Sequence, residues 1–194
     1  MQNLLPFETF KKKIDSNWTL FLDRDGVLNH EKKADYIRNE NEFYFYDGIK
    51  NALAGLAPIF DTIVIVTNQR GVGRGWMTEA DLKGIHTYMV NEVKSVGGRI
   101  DGIYYCTDVN SDSPNRKPNP GMALQAKHDF PAIDFSKSIM VGNKMSDMLF
   151  GRAAGMHTIF VATTNPETAY PHEAIDFRFN ALPAFAAALL TKNA

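Results

Sequence analysis

Short apolar runs that end abruptly in polar residues set the rhythm of this chain. Thr19-Leu20-Phe21-Leu22 runs into Asp23-Arg24-Asp25-Gly26, and Thr62-Ile63-Val64-Ile65-Val66 runs into Thr67-Asn68. Ser138-Ile139-Met140-Val141-Gly142 is followed by Asn143-Lys144, and residues 100–105 and 157–161 complete the series. Runs that are apolar throughout, without period-2 alternation, describe strands buried on both faces, as in a parallel sheet. Between them the apolar positions take helical spacing. Ile49, Ala52, Leu53 and Leu56 share one face, with Asp47 as the expected N-cap and Pro58 as the stop. Thr78-Glu79-Ala80-Asp81 is a capping-box start, followed by Leu82, Ile85, Met89 and Val93 and ended by Gly97-Gly98. Further helices are expected over 6–14, 122–128, 145–154 (Gly155 as C-cap) and 182–190. Residues 29–42, 67–75, 107–121 and 163–174 read as loops, and 43–46 as a small strand or an aromatic lid edge. Strand and helix alternate from end to end, which predicts an α/β fold: a doubly wound, Rossmann-like parallel sheet in three layers.

Length and charge narrow the picture. The 194 residues suit one domain, 1–194, with a sizeable core. A formal net charge of −1 gives no reason to expect a nucleic-acid partner, and Lys11-Lys12-Lys13 reads as a solvated helix face. The single cysteine, Cys106, excludes a disulfide within the chain. The first residues lack the apolar core of a signal peptide, and no apolar run approaches a membrane span, so a cytoplasmic protein without a membrane partner is expected. Gly71-x-Gly73-x-Gly75 departs from the dinucleotide spacing Gly-x-Gly-x-x-Gly, and the histidines show no metal spacing.

Chemistry is expected where the strands end. In open α/β sheets the ligand crevice lies beyond the carboxyl ends of the strands. Asp23 and Asp25 are two apart, so in extended chain they share a face. Two carboxylates so placed need a proton or a cation between them, and Mg²⁺ is the hard ion that takes oxygen ligands. Taken alone the stretch is equally an acidic turn, since Asp and Gly are common turn residues. The other strand ends change that balance. Thr67 and Asn68 follow the second strand, Arg116-Lys117 the third, and Asn143, Lys144 and Asp147 the fourth. Acids, a hydroxyl and cations converging on one sheet edge suit phosphoryl transfer.

The motifs Asp-x-Asp-Gly-Val-Leu-Asn (23–29), Thr-Asn-Gln-x-Gly-x-x-Arg-Gly (67–75), Arg-Lys-Pro-x-Pro-Gly-Met (116–122) and Val-Gly-Asn-Lys-x-x-Asp-Met (141–148) occur in that order. In this the chain resembles the haloacid dehalogenase (HAD) superfamily of phosphatases. It is most similar to the branch of heptose bisphosphate and histidinol-phosphate phosphatases, over about residues 19–161. The resemblance implies a Mg²⁺-dependent phosphatase acting on a small phosphorylated metabolite. It makes Asp23 the nucleophile and Asp25 the general acid and base, the latter held protonated by its surroundings. It assigns Mg²⁺ to Asp23, the Asp25 carbonyl and Asn143, with Asp147 reaching it through a water. Thr67, Lys117 and the Asn68 backbone N–H would hold the transferring phosphate, Arg116 a second phosphate or polar end, and Gln69 and Arg74 other parts of the substrate. A heptose 1,7-bisphosphate is the leading substrate. Histidinol phosphate and a catalytically impaired relative that only binds a phosphorylated ligand are the alternatives.

Two departures from the family pattern stand out. Asn143 replaces the usual metal-binding acid of the fourth motif, which predicts weaker Mg²⁺ binding. The loop from Cys106 to Asn115 holds one cysteine and no histidine, so no structural zinc is expected, and Cys106 reads as a buried small residue. The chain has no long insertion that would build a large cap, leaving an open site covered by a flap over 29–46, with Tyr36, Phe43 and Tyr44 as its possible lining. A monomer is expected.

Overall fold

The computed structural model describes residues 6–33 and 35–191. Six parallel strands form one sheet: β1 (Thr19–Leu22), β2 (Thr62–Asn68), β3 (Gly102–Cys106), β4 (Ser138–Gly142), β5 (His157–Val161) and β6 (Phe177–Phe179), in the order β3-β2-β1-β4-β5-β6. Among the described residues seven α-helices join or flank them: α1 (Phe7–Phe10), α2 (Ile49–Leu56), α3 (Arg70–Gly73), α4 (Glu79–Lys94), α5 (Gly121–Asp129), α6 (Met145–Ala154) and α7 (Leu182–Leu190). The order reverses at β1, which pairs with β2 on one side and β4 on the other, so β1 ends at the topological switch point.

Strand periodicity sorts the core into two layers. Leu20, Leu22, Ile63, Ile65, Ile139 and Val141 point to the face covered by α2, α4 and α7. Phe21, Val64, Val66 and Met140 point to the other, against Met122, Ala123 and Ala126 of α5 and Phe150 of α6. The three-layer expectation therefore holds. No large cap is present among the described residues, none of whose helices is long and apolar enough to cross a membrane.

Several local expectations differ. The N-cap of α2 is Gly48, in the left-handed region at φ 77°, and Asp47 makes no cap. The stretch expected as loop after β2 contains α3, a single turn rich in glycine, which weakens its helical signal. The loop expectation for 163–174 holds, but the three-residue edge strand β6 lies beyond it and is too short to read as a run. The helix expected over 6–14 is a short α-helix continued by a 3-10 turn at Lys11–Lys13. Lys11 is not solvated: its Nζ donates to the carbonyls of Ala188 and Thr191 at 3.2 and 3.1 Å and pairs with Glu8 at 2.7 Å. A cation thus closes the carboxyl end of α7, where the helix dipole favours it.

Candidate active site

Lys117 is the centre of the site. Its ammonium is buried and donates to the Val66 carbonyl at 2.8 Å, to Asp23 Oδ1 at 2.9 Å and to Asp147 Oδ1 at 2.7 Å, using all three of its hydrogens. The loop that carries Lys117 is held in turn by the Asn68 side chain. Asn68 accepts from the Lys117 backbone N–H at 3.0 Å and donates to the Lys117 carbonyl at 3.1 Å. The Asn68 amide is therefore a clasp between β2 and this loop. Burial disfavours the charge on Lys117, but Asp147 and Asp23 outweigh it and hold the ammonium above its usual pKa.

Asp23 extends β1 by donating its backbone N–H to the Val141 carbonyl, which fixes it at the strand end. Its Oδ1 accepts from the Arg24 N–H and from Lys117, while Oδ2 carries no hydrogen bond among the described residues. Burial pushes its carboxyl up to about 6; Lys117 pulls it down, and the Asp147 and Asp25 charges push it further up. Asp147, expected as a metal ligand, has both oxygens engaged. Oδ2 accepts from the Asn143 and Lys144 N–H groups at 3.1 and 2.9 Å, capping α6, and Oδ1 pairs with Lys117.

Asp25 differs from expectation. Burial works against its charge, but Arg24 and hydrogen bonds from Asn29, Arg24 and Gln69 outweigh burial and hold it below the usual carboxylate pKa. Arg24 Nη2 donates to both carboxylate oxygens at 2.9 Å, Asn29 Nδ2 to Oδ1 at 2.9 Å and Gln69 Nε2 to Oδ2 at 2.8 Å. The resting group is a carboxylate and not the protonated acid that the motif implied. Gln69, expected to touch substrate, is instead buried beneath the cleft, where its amide also donates to Thr67 Oγ1 at 2.9 Å. Arg24, Asn29 and His86 escaped the sequence reading. Arg24 and Asn29 stand inside the first motif as its unassigned positions, but His86 lies 62 residues from Arg24 and nothing in its own segment marks it.

The turn after β1 depends on Gly26. It has φ 85°, and a Cβ there would lie 2.1 Å from Asn143 Nδ2. Only a glycine lets the Asn143 side chain approach this loop. Asn143 Nδ2 donates to Thr164 Oγ1 at 2.5 Å, while its Oδ1 is buried with no partner among the described residues. That orphaned oxygen is the type of ligand a hard cation takes. Among the described residues no group of three or more His, Cys, Asp or Glu side chains clusters as a metal cage, so amide, carbonyl or water oxygens would complete the shell of a divalent ion here. Cys106 is buried, with Sγ 3.6 Å from Asp108 Oδ2.

The cleft above these groups has a volume of about 580 Å³. Asp23, Asp25, Thr67, Lys117 and Asp147 line it, together with the cations Arg70, Arg74, Arg116 and Lys144. The flap adds Glu31, Lys32, Lys33 and Asp35. Arg116 is nearly buried and donates to the Asp108 carbonyl at 3.2 Å; burial and the neighbouring Arg70 charge lower its pKa. Arg74 rests over the Trp76 ring at 5.0 Å. Of the flap aromatics Tyr36 alone lines the cleft, since Phe43 is in the core and Tyr44 points to solvent. Arg70 was unassigned in the sequence because it fills a variable position of the second motif.

Comparison with known proteins follows the same lines. Residues 114–182 match the HAD-hydrolase-like family model. The D-glycero-alpha-D-manno-heptose-1,7-bisphosphate 7-phosphatase of Burkholderia mallei is 40% identical over 151 residues, covering 73% of this chain and 78% of that protein. The corresponding beta-heptose enzyme of Salmonella typhi is 37% identical over 172 residues, covering 84% of this chain and 90% of its own. The crystal structure of D,D-heptose 1,7-bisphosphate phosphatase from B. bronchiseptica, complexed with magnesium and phosphate, superposes with a TM-score of 0.81 at 30% identity, covering 89% of this chain and 98% of that one. Fold, motif order and relatives agree, and the chain belongs to the HAD-like hydrolases, in the family of the heptose-1,7-bisphosphate phosphatases.

Proposed function

We propose that this protein is a phosphatase that removes the 7-phosphate of a heptose 1,7-bisphosphate through an aspartyl-phosphate on Asp23. The observation that carries the reading is a cluster of arginines in the same cleft as the reactive carboxylate. The cleft presents Asp23, pinned by Lys117, and also Arg70, Arg74 and Arg116, which carry no ion pair among the described residues. Guanidinium groups gathered in this way repel until an anion joins them, and a second phosphate is a bidentate partner for them. Histidinol phosphate would bring an ammonium and an imidazole to the same place, so the charge pattern favours the bisphosphate.

In this reading Asp23 Oδ2 attacks phosphorus, the bond from phosphorus to the sugar oxygen breaks, and that oxygen takes a proton from Asp25. Asp25 is a carboxylate at rest and acquires that proton as the negative phosphate arrives beside it, because a like charge raises its pKa. It is then a carboxylate again and takes a proton from water. The water oxygen bonds to phosphorus as the bond to Asp23 breaks, releasing inorganic phosphate. Thr67 and Lys117 hold the phosphoryl oxygens, Lys117 exchanging one of its present partners for them. Asp23, the Asp25 carbonyl and Asn143 Oδ1 are the groups that would hold Mg²⁺, which neutralises charge on the phosphoryl oxygens when bound. Cytoplasmic location and a monomeric state belong to the same proposal.

Phosphate release from heptose 1,7-bisphosphate and from histidinol phosphate, with and without Mg²⁺, tests it. Turnover that requires Mg²⁺ and favours the bisphosphate by at least about tenfold in kcat/KM is the expected result. Asn143 supports one second reading, an impaired relative that binds without turnover. In that case the natural protein is silent and Asn143→Asp is active.

A further inference from the structure

We propose that His86 is a positioning residue for this reaction: its imidazole fixes the buried Arg24 guanidinium, which in turn presents Asp25 to the leaving oxygen. The inference rests on the role given above to Asp25. Arg24 is 1% exposed although it adjoins the cleft, so each of its donors needs a partner inside the protein. Nη2 and Nε are taken by Asp25, at 2.9 Å to both oxygens and 3.3 Å to Oδ1. Nη1 lies 3.2 Å from His86 Nε2. A guanidinium only donates, so Nε2 must carry the lone pair and Nδ1 the proton. Burial beside Arg24 suits this, since it pushes the imidazole down to about 3 and keeps it neutral.

A guanidinium is a rigid plane. Holding Nη1 from one edge fixes the direction of the fork at the other. The Phe43 ring, 5.9 Å from the Arg24 Cζ, flanks the same group. Asn29 holds Oδ1 and Gln69 holds Oδ2 of Asp25, and Arg24 is the one side chain among the described residues that spans both oxygens. His86 does not line the cleft and touches no substrate. It sits on α4, which the capping box at Thr78 starts and the apolar face docks on the sheet. This ties the geometry of the acid to a helix on the far side of Arg24.

The test compares His86→Leu, which removes the acceptor, with His86→Gln, which keeps a neutral oxygen on a side chain of similar reach. Each is assayed on the sugar bisphosphate, whose alkoxide leaving group needs a proton, and on p-nitrophenyl phosphate, whose phenolate does not. The expected result is about a tenfold loss of kcat on the sugar substrate in His86→Leu with KM held within about twofold, a smaller loss on the aryl phosphate, and recovery in His86→Gln. Equal losses on both substrates, an unchanged kcat, or failure of His86→Gln to recover would overturn it. On the unmodified protein, ¹⁵N spectra at neutral pH are expected to show a protonated Nδ1 and a bare Nε2; the opposite tautomer overturns the proposal without any variant. Asp25→Asn separates the two readings. If it retains turnover of the sugar substrate, the role of Asp25 fails and this inference falls with it. If it is inactive while His86→Leu is unaffected, only the role of His86 fails.

Discussion

Two carboxylates, Asp23 buried and Asp25 partly exposed, stand two residues apart at the end of β1, each paired with a buried cation, and their surroundings push them in opposite directions. Asp23 shares Lys117 with Asp147, so one ammonium serves two negative groups and the Asp23 carboxyl rises to about 6. Asp25 has the fork of Arg24 to itself, with two amides besides, and stays below its usual value. Burial opposes charge at both. What separates them is the number of cationic donors per carboxylate, which sets the chemistry available to each. Asp23 keeps its Oδ2 free to react, and the densely hydrogen-bonded Asp25 is ready to hold a proton only when a phosphate arrives.

The largest effect is expected from removing the shared cation. Lys117→Met leaves Asp23 and Asp147 buried together without a counter-charge and should cost about 3–5 kcal/mol in urea unfolding at neutral pH, as well as abolishing turnover. If stability is unchanged, the reading of Lys117 as the hub is wrong. Asp25→Asn should lower kcat on a sugar phosphate by about 10²–10⁴-fold while leaving KM close to its starting value, measured by phosphate release. Arg70→Ala tests the arginine cluster of the cleft. Loss of a charge-assisted contact of about 1.5–3 kcal/mol predicts a roughly ten- to hundredfold rise in KM for a bisphosphate, and little change for a monophosphate that does not reach it.

Asn143→Asp sharpens the comparison from the metal side. An added charge at this buried position should tighten Mg²⁺ binding by titration calorimetry and lower Tm in chelator, because the new carboxylate is buried near the Asp147 charge. Tighter binding without the loss of Tm would mean that the 143 side chain does not feel the neighbouring carboxylate. The smallest effect belongs to a distant pair. Asp176 accepts from Arg152 and from the Thr158 N–H, and although burial opposes it, His157 and Arg152 bring its carboxyl from 3.8 to about 2. A lowered folded-state pKa stabilises above the unfolded value, so the contribution is complete above about pH 4 and fades as pH falls through about 2. Asp176→Asn should lose less than about 1 kcal/mol at neutral pH, given its partial exposure, and nothing near pH 2.

The strands and the acids were legible for one reason: an unbroken apolar run followed by polar residues marks both a buried strand and the crevice at its end. Hence β1, β2, β4 and β5, and with them Asp23, Asp25, Thr67 and Asp147 at their ends, are readable in order. Elements stabilised mainly by neighbours were not. α3 is one glycine-rich turn, β6 three residues at a sheet edge, and Lys11 is buried because α7 returns beside it from the other end of the chain. The state of Asp25 was likewise hidden. A motif names the residue, but its charge depends on Arg24, Gln69 and Asn29, and the posture of Arg24 on a histidine in α4. Gln69 was assigned to substrate by the family resemblance; in the structure its amide braces Asp25 and Thr67, while the Asn68 side chain clasps the Lys117 loop.

The central claim is that Asp23 carries the phosphoryl group. Acid quench during steady-state turnover of heptose 1,7-bisphosphate, followed by peptide mass spectrometry, tests it most directly. The account predicts one added phosphoryl group on the peptide containing Asp23, absent in Asp23→Asn, which also releases no phosphate. Phosphate release at full rate with that peptide unmodified, or undiminished turnover in Asp23→Asn, would contradict it.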